Sequence, residues 1–579
     1  MSFDDAKFAT IGWDFSMFPE PGYLSSKAYQ KLDCAKKQRA ITSIYRLKNL
    51  YMMNNNGARN AAIEDGRVRA KWILPWDGNC FLTLTAWQDI QRAVVNAPYL
   101  PYFIVPMQRL LDNKDVLASD FIPEPSEEPQ IVFRCDANER FGQEHPYGRR
   151  PKVELFWRLG VPGNWRFWKD DPWDQARGSN APEFGAWQIA GWVARLASGQ
   201  SHLEVASSES FINRGIERQK AIRTAINHVS REVCAASDPI GLTCYRFGAL
   251  TAVKSAYQAP EKDSAHSDVV EVLMANATQA LCRQPESPVN KPQPGPSGDL
   301  QDYYHPAPYW WPNPKTQDGL PYVQRDGVRV PGTQMYEPQS YRYDRTRLQH
   351  LFDDCTSLSL AAFVTGRECY SDHALRWLDR WFINPDTRMN PNLTYAQVRL
   401  GHNGNRGAQT GIIECKDFYY ALDSIRLLDH IGAISGKQLE QIGKWFVQYL
   451  KWLLTSDQGQ GEVLARNNHG TYYDLQVAAV AAFVHDDDAL FGALARAEER
   501  VSVQISPDGV QTEEMTRTIT AHYCCFTMQG WLNLLNLSTR FDQGFSMRAT
   551  QDGHPLRKAV EWLLAYEDRH WPYQQIEDF

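Results

Sequence analysis

The C-terminal half of the chain predicts a mainly α fold built from helical hairpins. Beyond about residue 340 the apolar side chains recur at the helical period, as in the stripe that begins with Leu348, Leu351 and Phe352. Helix candidates then follow in pairs with short connections, each pair taking about 35–50 residues. They span residues 412–431, 436–454, 472–484, 489–503, 519–535 and 555–566. Stacked hairpins of this kind either close into a toroid or form an open α-solenoid, and periodicity alone favours neither.

The N-terminal part predicts mixed structure of unassigned fold. Helix candidates lie near residues 29–53 and 86–95, and the strand-like segments QIVFRC and KVELFWRL follow them between prolines and glycines. The aromatic loop GNWRFWKDDPW has the composition of a sugar-contacting loop, although such tryptophan clusters more often pack beneath a neighbouring domain.

The strongest linker signal is the proline-rich segment RQPESPVNKPQPGPSG at residues 283–298, because proline prevents helix continuation. Helix candidates at residues 216–236 and 266–281 precede it. A chain of 579 residues is also too long for one ordinary core. We therefore expect an N-terminal region at residues 1–260 and a C-terminal helical domain at residues 265–579.

Composition and charge restrict the class of function. Hydrophobic residues make up 43% of the chain and charged residues 22%, which is typical of a folded protein. The 19 Trp, 26 Tyr and 25 Phe are the kind of enrichment found where sugar rings are stacked, although large cores use the same residues as filler. A net charge of −7 argues against a nucleic-acid partner. For the same reason, an anionic polysaccharide substrate would need a locally basic cleft.

Cysteine usage and the N-terminus bear on location. The eleven cysteines include no CxxC pair, and their odd number leaves at least one without an internal partner, which favours a reducing compartment. The opening MSFDDAKFATIGWDF lacks a basic start followed by an apolar run, and no stretch approaches the ~18 apolar residues of a membrane span. We expect no membrane partner and, as the chain stands, a cytoplasmic location.

Three segments carry more polar and aromatic groups than packing requires. The first is DYYHPAPYWWPNP at residues 302–314, in which four prolines stiffen a cluster of two Trp and three Tyr. Such a cluster loses little entropy on binding sugar rings, although a proline-braced hydrophobic plug has the same composition. The second is TRMNPNLTYAQVRLGHNGNRGAQTG at residues 387–411, a long polar loop of the kind that usually carries function. It has no GxxxxGK[ST] pattern, which argues against phosphate binding.

The third segment, ARNNHGTYY at residues 465–473, precedes a helix candidate. We expect Asn468 to cap that helix and His469 to lie at its positive end, where an anion is attracted, although a capped helix with a satisfied histidine is the commoner case. Arg517 and Tyr523 follow in EEMTRTITAHYCCF. Positions six apart on a helix are about 120° apart, so both face one site only if Arg517 precedes the helix or begins it.

These segments, taken in order, resemble the alginate lyase family, which includes mannuronate and glucuronan lyases. The blocks that carry the resemblance are DYYHPAPYWWPNP with GLPYVQRDG, MNPNLTYAQ with NRGAQTGIIE, NNHG and RTITAHY, within residues 269–546. The resemblance implies an incomplete (α/α) toroid and β-elimination that needs no metal or other cofactor. Members of the family are usually secreted or periplasmic, in contrast to the location expected above.

Carried over residue by residue, the resemblance implies four catalytic groups: a carboxylate-neutralising Asn468, its neighbour His469, Arg517, and the catalytic tyrosine Tyr523, whose pKa Arg517 would lower. In the mannuronate branch the tyrosine lies seven residues after the arginine, where this chain has Cys524, so the six-residue spacing is similar to the glucuronan branch. The substrate contacts implied in the same way are Tyr304, Tyr309, Trp310, Gln397, His402 and Arg406.

Elimination explains why such groups are needed. The C5 proton of a uronate is only weakly acidic, so its C6 carboxylate must be neutralised by donors, as in an oxyanion hole. A tyrosine whose pKa is lowered by a neighbouring cation can accept that proton. In mannuronate and glucuronate the C5 hydrogen and the C4 oxygen lie on one face, so Tyr523 can also return the proton to the leaving oxygen, and His469 is the alternative base.

The competing interpretations are a non-catalytic toroid that binds polyuronate, and a toroid enzyme of altered function in a small-molecule pathway. An inverting glycoside hydrolase would need two carboxylates ~6.5–9.5 Å apart, for which Glu414, Asp417 and Asp474 are available. No HExxH pattern, clustered His/Cys spacing or calcium loop indicates a metal enzyme.

Overall fold

The computed structural model describes residues 3–118, 120–125, 127–167, 170–197, 208–234, 240–259, 264–567 and 569–576. The chain forms two compact units. The first comprises Met1–Asp4, Ile11–Pro19 and Leu32–Ile226, and the second comprises Asp5–Thr10, Glu20–Lys31 and Asn227–Phe579. Over the described ranges, no helix is both long enough and apolar enough to cross a membrane.

Helices predominate in the second unit and strands are concentrated in the first. The helices are α1 (Asp5–Thr10), α2 (Lys27–Gln30), α3 (Cys34–Ile44), α4 (Arg46–Met52), α5 (Asn55–Arg67), α6 (Leu84–Asn96), α7 (Val153–Arg158), α8 (Ser208–Cys234), α9 (Phe247–Gln258), α10 (Ser264–Cys282), α11 (Arg345–Thr365), α12 (Glu368–Leu378), α13 (Phe418–His430), α14 (Gly436–Thr455), α15 (Asp457–Glu462), α16 (Asn468–Val484), α17 (Asp487–Gln504), α18 (Thr520–Ser538), α19 (Gln543–Ala549) and α20 (Pro555–Leu564). The strands are β1 (Trp72–Ile73), β2 (Cys80–Phe81), β3 (Tyr102–Arg109), β4 (Glu127–Arg134), β5 (Trp187–Ile189), β6 (Val193–Arg195), β7 (Tyr304–Pro306), β8 (Trp310–Trp311), β9 (Val323–Gln324) and β10 (Tyr395–Val398).

The first unit is built around a sheet of order β1-β4-β3-β6-β2, with β5 also paired to β3. The central pair β3 and β4 is antiparallel. Alternate residues of β3 enter two different apolar clusters, Tyr102 and Ile104 on one face and Phe103 and Val105 on the other. Because both faces are covered, the strand has a continuous apolar run instead of alternating polar and apolar residues.

Two local predictions for the N-terminal part are wrong. The segment KVELFWRL, predicted as a strand, forms α7, because a short apolar run does not distinguish a buried strand from a buried helical turn. The helix predicted at residues 29–53 is interrupted, since Asp33 caps a new helix by accepting a hydrogen bond from the Lys36 N–H. The strand in QIVFRC and the helix at 86–95 are confirmed as β4 and α6.

The aromatic loop at residues 163–173 is mainly part of the first unit's packing. Trp165 and Trp173 are buried, and Trp165 packs against Phe156 with ring centroids 5.5 Å apart. Residues 168 and 169 of this loop lie outside the described residues, as do residues 235 and 236 of the helix predicted at 216–236. The two buried tryptophans therefore favour the packing interpretation of this loop over sugar contact.

The helical hairpins predicted for the second unit are confirmed, and they form an incomplete (α/α) toroid. The inner helices α11, α13, α16 and α18 contact one another in chain order, and α12, α14 and α17 lie outside as their hairpin partners. The inner position of α16 explains its composition, because almost every residue from Asn468 to Ala482 is buried. A helix that is apolar around its whole circumference is typical of such a core.

The second unit extends further toward the N-terminus than the predicted range 265–579. Helices α9 and α10 both pack on α11, and the backbone N–H groups of Thr243, Cys244 and Tyr245 donate to the buried carboxylate of Asp423 on α13. The proline-rich segment at residues 283–298 is not a linker between the units. It contains Lys291, which is buried and ion-paired with Asp344 at 3.0 Å.

We predict that Asp423→Asn destabilises the second unit. An amide accepts fewer hydrogen bonds than a carboxylate and cannot form the ion pair with Arg426, so buried N–H groups would be left without partners. We expect a loss of about 2–4 kcal/mol in the free energy of unfolding, measured by urea denaturation followed by circular dichroism. Asp429→Asn, at an exposed position of the same helix, is the control and should change this value by less than about 0.5 kcal/mol. Equal stability of the two variants would contradict the anchoring role of Asp423.

Candidate active site

A cavity of about 950 Å³ opens within the second unit. Its lining comes from four parts of the chain, residues 305–345, 397–416, 462–469 and 513–526. Six arginine or lysine side chains and four carboxylates line it, although the chain as a whole has a net charge of −7. The cavity is therefore locally basic, as binding of a polyanion requires.

The structure brings most of the predicted site residues to this cavity. His402 and Arg406 line a neighbouring cavity of about 340 Å³, which shares Arg399 with the larger one. Tyr304 lines neither of them. The larger cavity is lined by all four predicted catalytic residues and three of the predicted substrate contacts, namely Asn468, His469, Arg517, Tyr523, Tyr309, Trp310 and Gln397.

His469 is held by a buried carboxylate. Its Nδ1 lies 2.6 Å from Oε1 of Glu462, the last residue of α15, and the Glu462 side chain is 1% exposed. A ring whose Nδ1–H donates to a carboxylate presents Nε2 as an acceptor, which is the tautomer that a general base requires. Sequence reasoning missed Glu462, because nothing in its own segment, QGQGEVLA, marks it as the partner of a histidine seven residues later.

The helix cap differs from the prediction. Asn467, not Asn468, is the N-cap residue of α16, and its side chain accepts from the His469 backbone N–H. Asn468 is instead hydrogen-bonded to Glu514. The Glu514 carboxylate accepts from the Asn468 backbone N–H at 2.6 Å and from Asn468 Nδ2 at 3.0 and 3.1 Å. Glu514 is a second residue that sequence reasoning missed, and it lies in the 3₁₀ turn just before Arg517.

Arg517 precedes α18, as the spacing to Tyr523 requires. Its guanidinium lies over the face of the Tyr523 ring, 3.7 Å from the ring centroid, and it also contacts Asp326 at 3.3 Å. Burial, followed by the neighbouring Tyr309, raises the pKa of Tyr523 above its ordinary value, while Arg517 acts in the opposite direction. The effect of Arg517 thus has the predicted direction, but burial outweighs it, so the pKa of Tyr523 is raised overall and the phenol is protonated at neutral pH.

Cys524 does not occupy the position of a site residue. Its side chain is fully buried, with its sulfur 3.8 Å from that of Met515. Successive helical residues point about 100° apart, so Tyr523 reaches the cavity while Cys524 faces the core. The six-residue spacing thus still places the phenol in the same cavity as His469.

Tyr304 points away from the cavity because side chains alternate between the two faces of β7. Tyr303 donates a hydrogen bond to Glu414, and His305 Nδ1 lies 2.7 Å from the same carboxylate. Side chains of neighbouring strand residues point to opposite faces, so Tyr304 turns away and packs against Tyr343, with ring centroids 5.6 Å apart. Its predicted role as a substrate contact is not supported.

Arg399 is a further site residue that sequence reasoning missed. Its guanidinium stacks on Trp310 at 4.5 Å and donates one hydrogen bond to Thr410, while its buried Nε has no partner among the described residues. Burial lowers its pKa, since no carboxylate of the described residues lies near enough to offset the loss of solvation. A partly buried cation without an acidic partner is a group that an anionic ligand would satisfy.

The loop that carries Arg399 is closely packed. Gly407 lies so close to the strand β10 that an added Cβ would stand 1.9 Å from the Ala396 carbonyl oxygen, and at Gly411 the same distance would be 2.4 Å. Gln397, on this strand, adopts a left-handed backbone conformation with φ 51°, which is uncommon for a residue other than glycine. Gly407 and Gly411 therefore serve close backbone packing.

The carboxylates named for a hydrolase do not form a catalytic pair. Asp474 is fully buried between Arg496 and Arg500, at 2.6 and 2.8 Å, and Asp417 pairs with Lys416. Neither of them lines the cavity, which only Glu414 of the three reaches. Within the described ranges, no group of three or more His, Cys, Asp or Glu side chains is arranged to hold a metal ion.

Comparisons with known proteins place this site in a family. The alginate lyase family model matches residues 288–571. The crystal structure of an alginate lyase from Bacteroides ovatus is 32% identical, over 58% of this chain and 87% of that one, with a TM-score of 0.54. Alginate lyase A1-III from Sphingomonas species A1 is 16% identical, over 57% of this chain and 79% of that one, with a TM-score of 0.37. No curated protein matches the chain.

The family match covers the toroid and every part of the chain that lines the cavity. The Bacteroides ovatus enzyme adds identity of 32% across most of its own length. The chain therefore belongs to the alginate lyase family and is a polysaccharide lyase.

Proposed function

We propose that the second unit cleaves a uronic-acid polymer of the glucuronan or mannuronan type by β-elimination across C4 and C5. The observation that carries this proposal is the convergence of His469, Asn468, Arg517 and Tyr523 on one basic cavity. The cavity offers a base held by a carboxylate, a protonated phenol and cations in excess of acids, which are the three requirements of the reaction.

The substrate carboxylate is neutralised first. Arg399 supplies a guanidinium that has no acidic partner in the described part of the chain. Asn468 Nδ2 has two hydrogens, and its contact with the two oxygens of the single Glu514 carboxylate leaves one of them for the substrate. Hydrogen bonds from these groups spread the negative charge that develops on the C6 carboxylate when the C5 proton leaves.

His469 and Tyr523 then move the protons. The C5–H bond breaks and its proton passes to Nε2 of His469, whose positive charge is balanced by Glu462. The electron pair forms the C4=C5 double bond, the C4–O bond breaks, and the Tyr523 hydroxyl gives its proton to the leaving oxygen. In glucuronate and mannuronate both bonds lie on one face of the ring, so the two side chains act from the same side of the substrate.

The aromatic groups provide the contacts along the polymer. Tyr309 and Trp310 line the cavity beside the catalytic side chains, and Gln397 accepts a hydrogen bond from Thr410 at 2.8 Å. His402 and Arg406, in the neighbouring cavity, extend the polar surface beyond the reacting sugar. We therefore assign these five residues to substrate binding, the last two to a sugar unit next to the one that is cleaved.

The test is an elimination assay on the full chain with polyglucuronate, polymannuronate and polyguluronate, following the ultraviolet absorbance of the unsaturated ends. We expect activity on at least one of the first two, and Tyr523→Phe should reduce it by about 1,000-fold or more while folding and polymer binding are retained. Tyr566→Phe removes a hydroxyl outside the cavity and is the matched control. A flat absorbance trace with all three polymers would contradict the proposed reaction, and normal rates in Tyr523→Phe would contradict the role given to Tyr523.

The pH dependence separates an acid role of Tyr523 from a base role. Because the pKa of Tyr523 is raised, its protonated form predominates well above neutral pH. As an acid it is active in that form, so this group causes no loss of kcat/KM below about pH 10. A phenolate base would instead make kcat/KM rise about tenfold per pH unit from about pH 7 to pH 10. Initial rates measured across this range distinguish the two roles. A steep rise would mean that Tyr523, and not His469, abstracts the C5 proton.

Glu462 acts through His469 as a positioning residue. We predict that Glu462→Gln lowers kcat by about 100-fold with little change in KM, because the amide no longer holds the ring in the required tautomer or balances its charge. Glu513→Gln removes a carboxylate from the same lining without touching His469 and is the control. If both variants lose activity equally, the effect comes from the charge of the cavity and not from the Glu462–His469 pair.

Arg399 is predicted to determine affinity for the carboxylate. Arg399→Gln should raise KM by about 10–100-fold, the loss expected for one charge-assisted hydrogen bond. Arg325→Gln is a close match, since Arg325 stacks on Trp311 at 5.2 Å but does not line the cavity. KM values from the elimination assay should separate the two variants. Similar KM values would show that the effect of Arg399 comes from stacking and not from contact with substrate.

A further inference from the structure

The second unit contains another cavity, of about 760 Å³, and none of its lining residues is shared with the catalytic cavity. Its wall is formed by α10, by the middle of α11, by residues 336–341 and by the first turn of α13. Arg345 of α11 lines the catalytic cavity and Asp353 lines this one. Eight residues separate them, or about 12 Å along the helix axis. This second cavity is therefore a separate site.

An unpartnered acceptor points to a ligand in the second cavity. Asp354 is only 4% exposed, one of its oxygens is paired with Arg283, and its Oδ2 has no hydrogen-bond partner among the described residues. Burial raises the pKa of this carboxyl to about 6. A buried acceptor left without a donor costs free energy, and a ligand hydroxyl in the cavity would supply the missing donor.

The neighbouring groups are those that bind sugar hydroxyls and sugar faces. Asp353 accepts hydrogen bonds from the phenols of Tyr336 at 3.1 Å and Tyr420 at 3.2 Å. Amides and hydroxyls complete the polar part of the wall, and five tyrosines supply aromatic surface. The amide-bearing residues are Asn276 and Gln279, and the tyrosines are Tyr245, Tyr336, Tyr341, Tyr419 and Tyr420.

The charge of the second cavity is opposite to that of the catalytic cavity. Among the described residues that line this cavity, Asp353 and Asp354 face one permanent cation, Arg283. His350 lies between Tyr336 and Tyr341, and burial lowers its pKa to about 4, so it is uncharged at neutral pH. A uronate carboxylate would be repelled by this surplus of acid, whereas an uncharged sugar would not.

We propose that this second cavity binds an uncharged sugar unit, with Asp354 Oδ2 accepting a hydrogen bond from a ring hydroxyl and the tyrosines stacking on the ring. The site does not depend on the proposed lyase reaction.

The test measures binding of small glycosides to the full chain by saturation-transfer difference NMR. The probes are methyl β-D-glucopyranoside, methyl β-D-xylopyranoside and methyl α-D-mannopyranoside, and methyl β-D-glucuronide is the charged counterpart of the first. We expect at least one uncharged glycoside to bind about tenfold more tightly than the glucuronide. Asp354→Asn and Tyr336→Ala should each weaken that binding by about tenfold.

Two controls show which cavity the glycoside binds. Tyr336 is half-exposed, so Tyr336→Ala should remain folded even if Asp354→Asn does not, and circular dichroism checks both. Arg399→Gln alters the catalytic cavity and the smaller cavity beside it, neither of which shares a lining residue with the second cavity, and should leave binding of the uncharged glycoside unchanged. The proposal is overturned if no uncharged glycoside binds, if the glucuronide binds equally well, if Tyr336→Ala has no effect, or if Arg399→Gln abolishes the signal.

Discussion

The catalytic arrangement depends on one buried ion pair, between Arg500 on α17 and Asp474 on α16. Nε of Arg500 donates to the Asp474 carboxylate at 2.8 Å, and its two terminal nitrogens donate to the backbone carbonyls of Ala465 and Val463. The same guanidinium therefore binds the helix and the loop that precedes it. Because Arg500 is 1% exposed, its charge would be strongly destabilising without these partners, and the loop conformation that presents His469 is required to satisfy it.

Around this pair, three of the four side chains proposed as catalytic are positioned by carboxylates. Glu462 holds His469, Glu514 holds Asn468, and Asp326 contacts Arg517. The geometry of the site therefore comes from the tertiary structure as a whole, which is consistent with a reaction that needs several groups around two neighbouring carbon atoms.

Sequence reasoning found the parts of the fold and site that are encoded locally. The helical period of the apolar residues located α13, α14, α16, α17, α18 and α20, and the order of four polar segments indicated the family. Local patterns failed where the deciding contact is distant in sequence. Asp423 binds residues 243–245, which no periodicity connects to it, so the start of the second unit was placed too late. Arg399 lies in the polar loop at residues 387–411 together with other arginines, and what distinguishes it appears only when Trp310 is folded against it. The sign of the Tyr523 pKa shift depends on burial, which a spacing between two residues does not specify.

The close contact of Gly407 and Gly411 with the Ala396 carbonyl has a consequence for how the site can vary. The loop that contains these glycines also carries Arg399, Gln409 and Thr410 to the cavity, and its backbone is packed directly on the backbone of β10, which cannot rotate aside as a long side chain can. Any side chain larger than hydrogen at either glycine would therefore shift the loop as a whole and displace these three lining groups together.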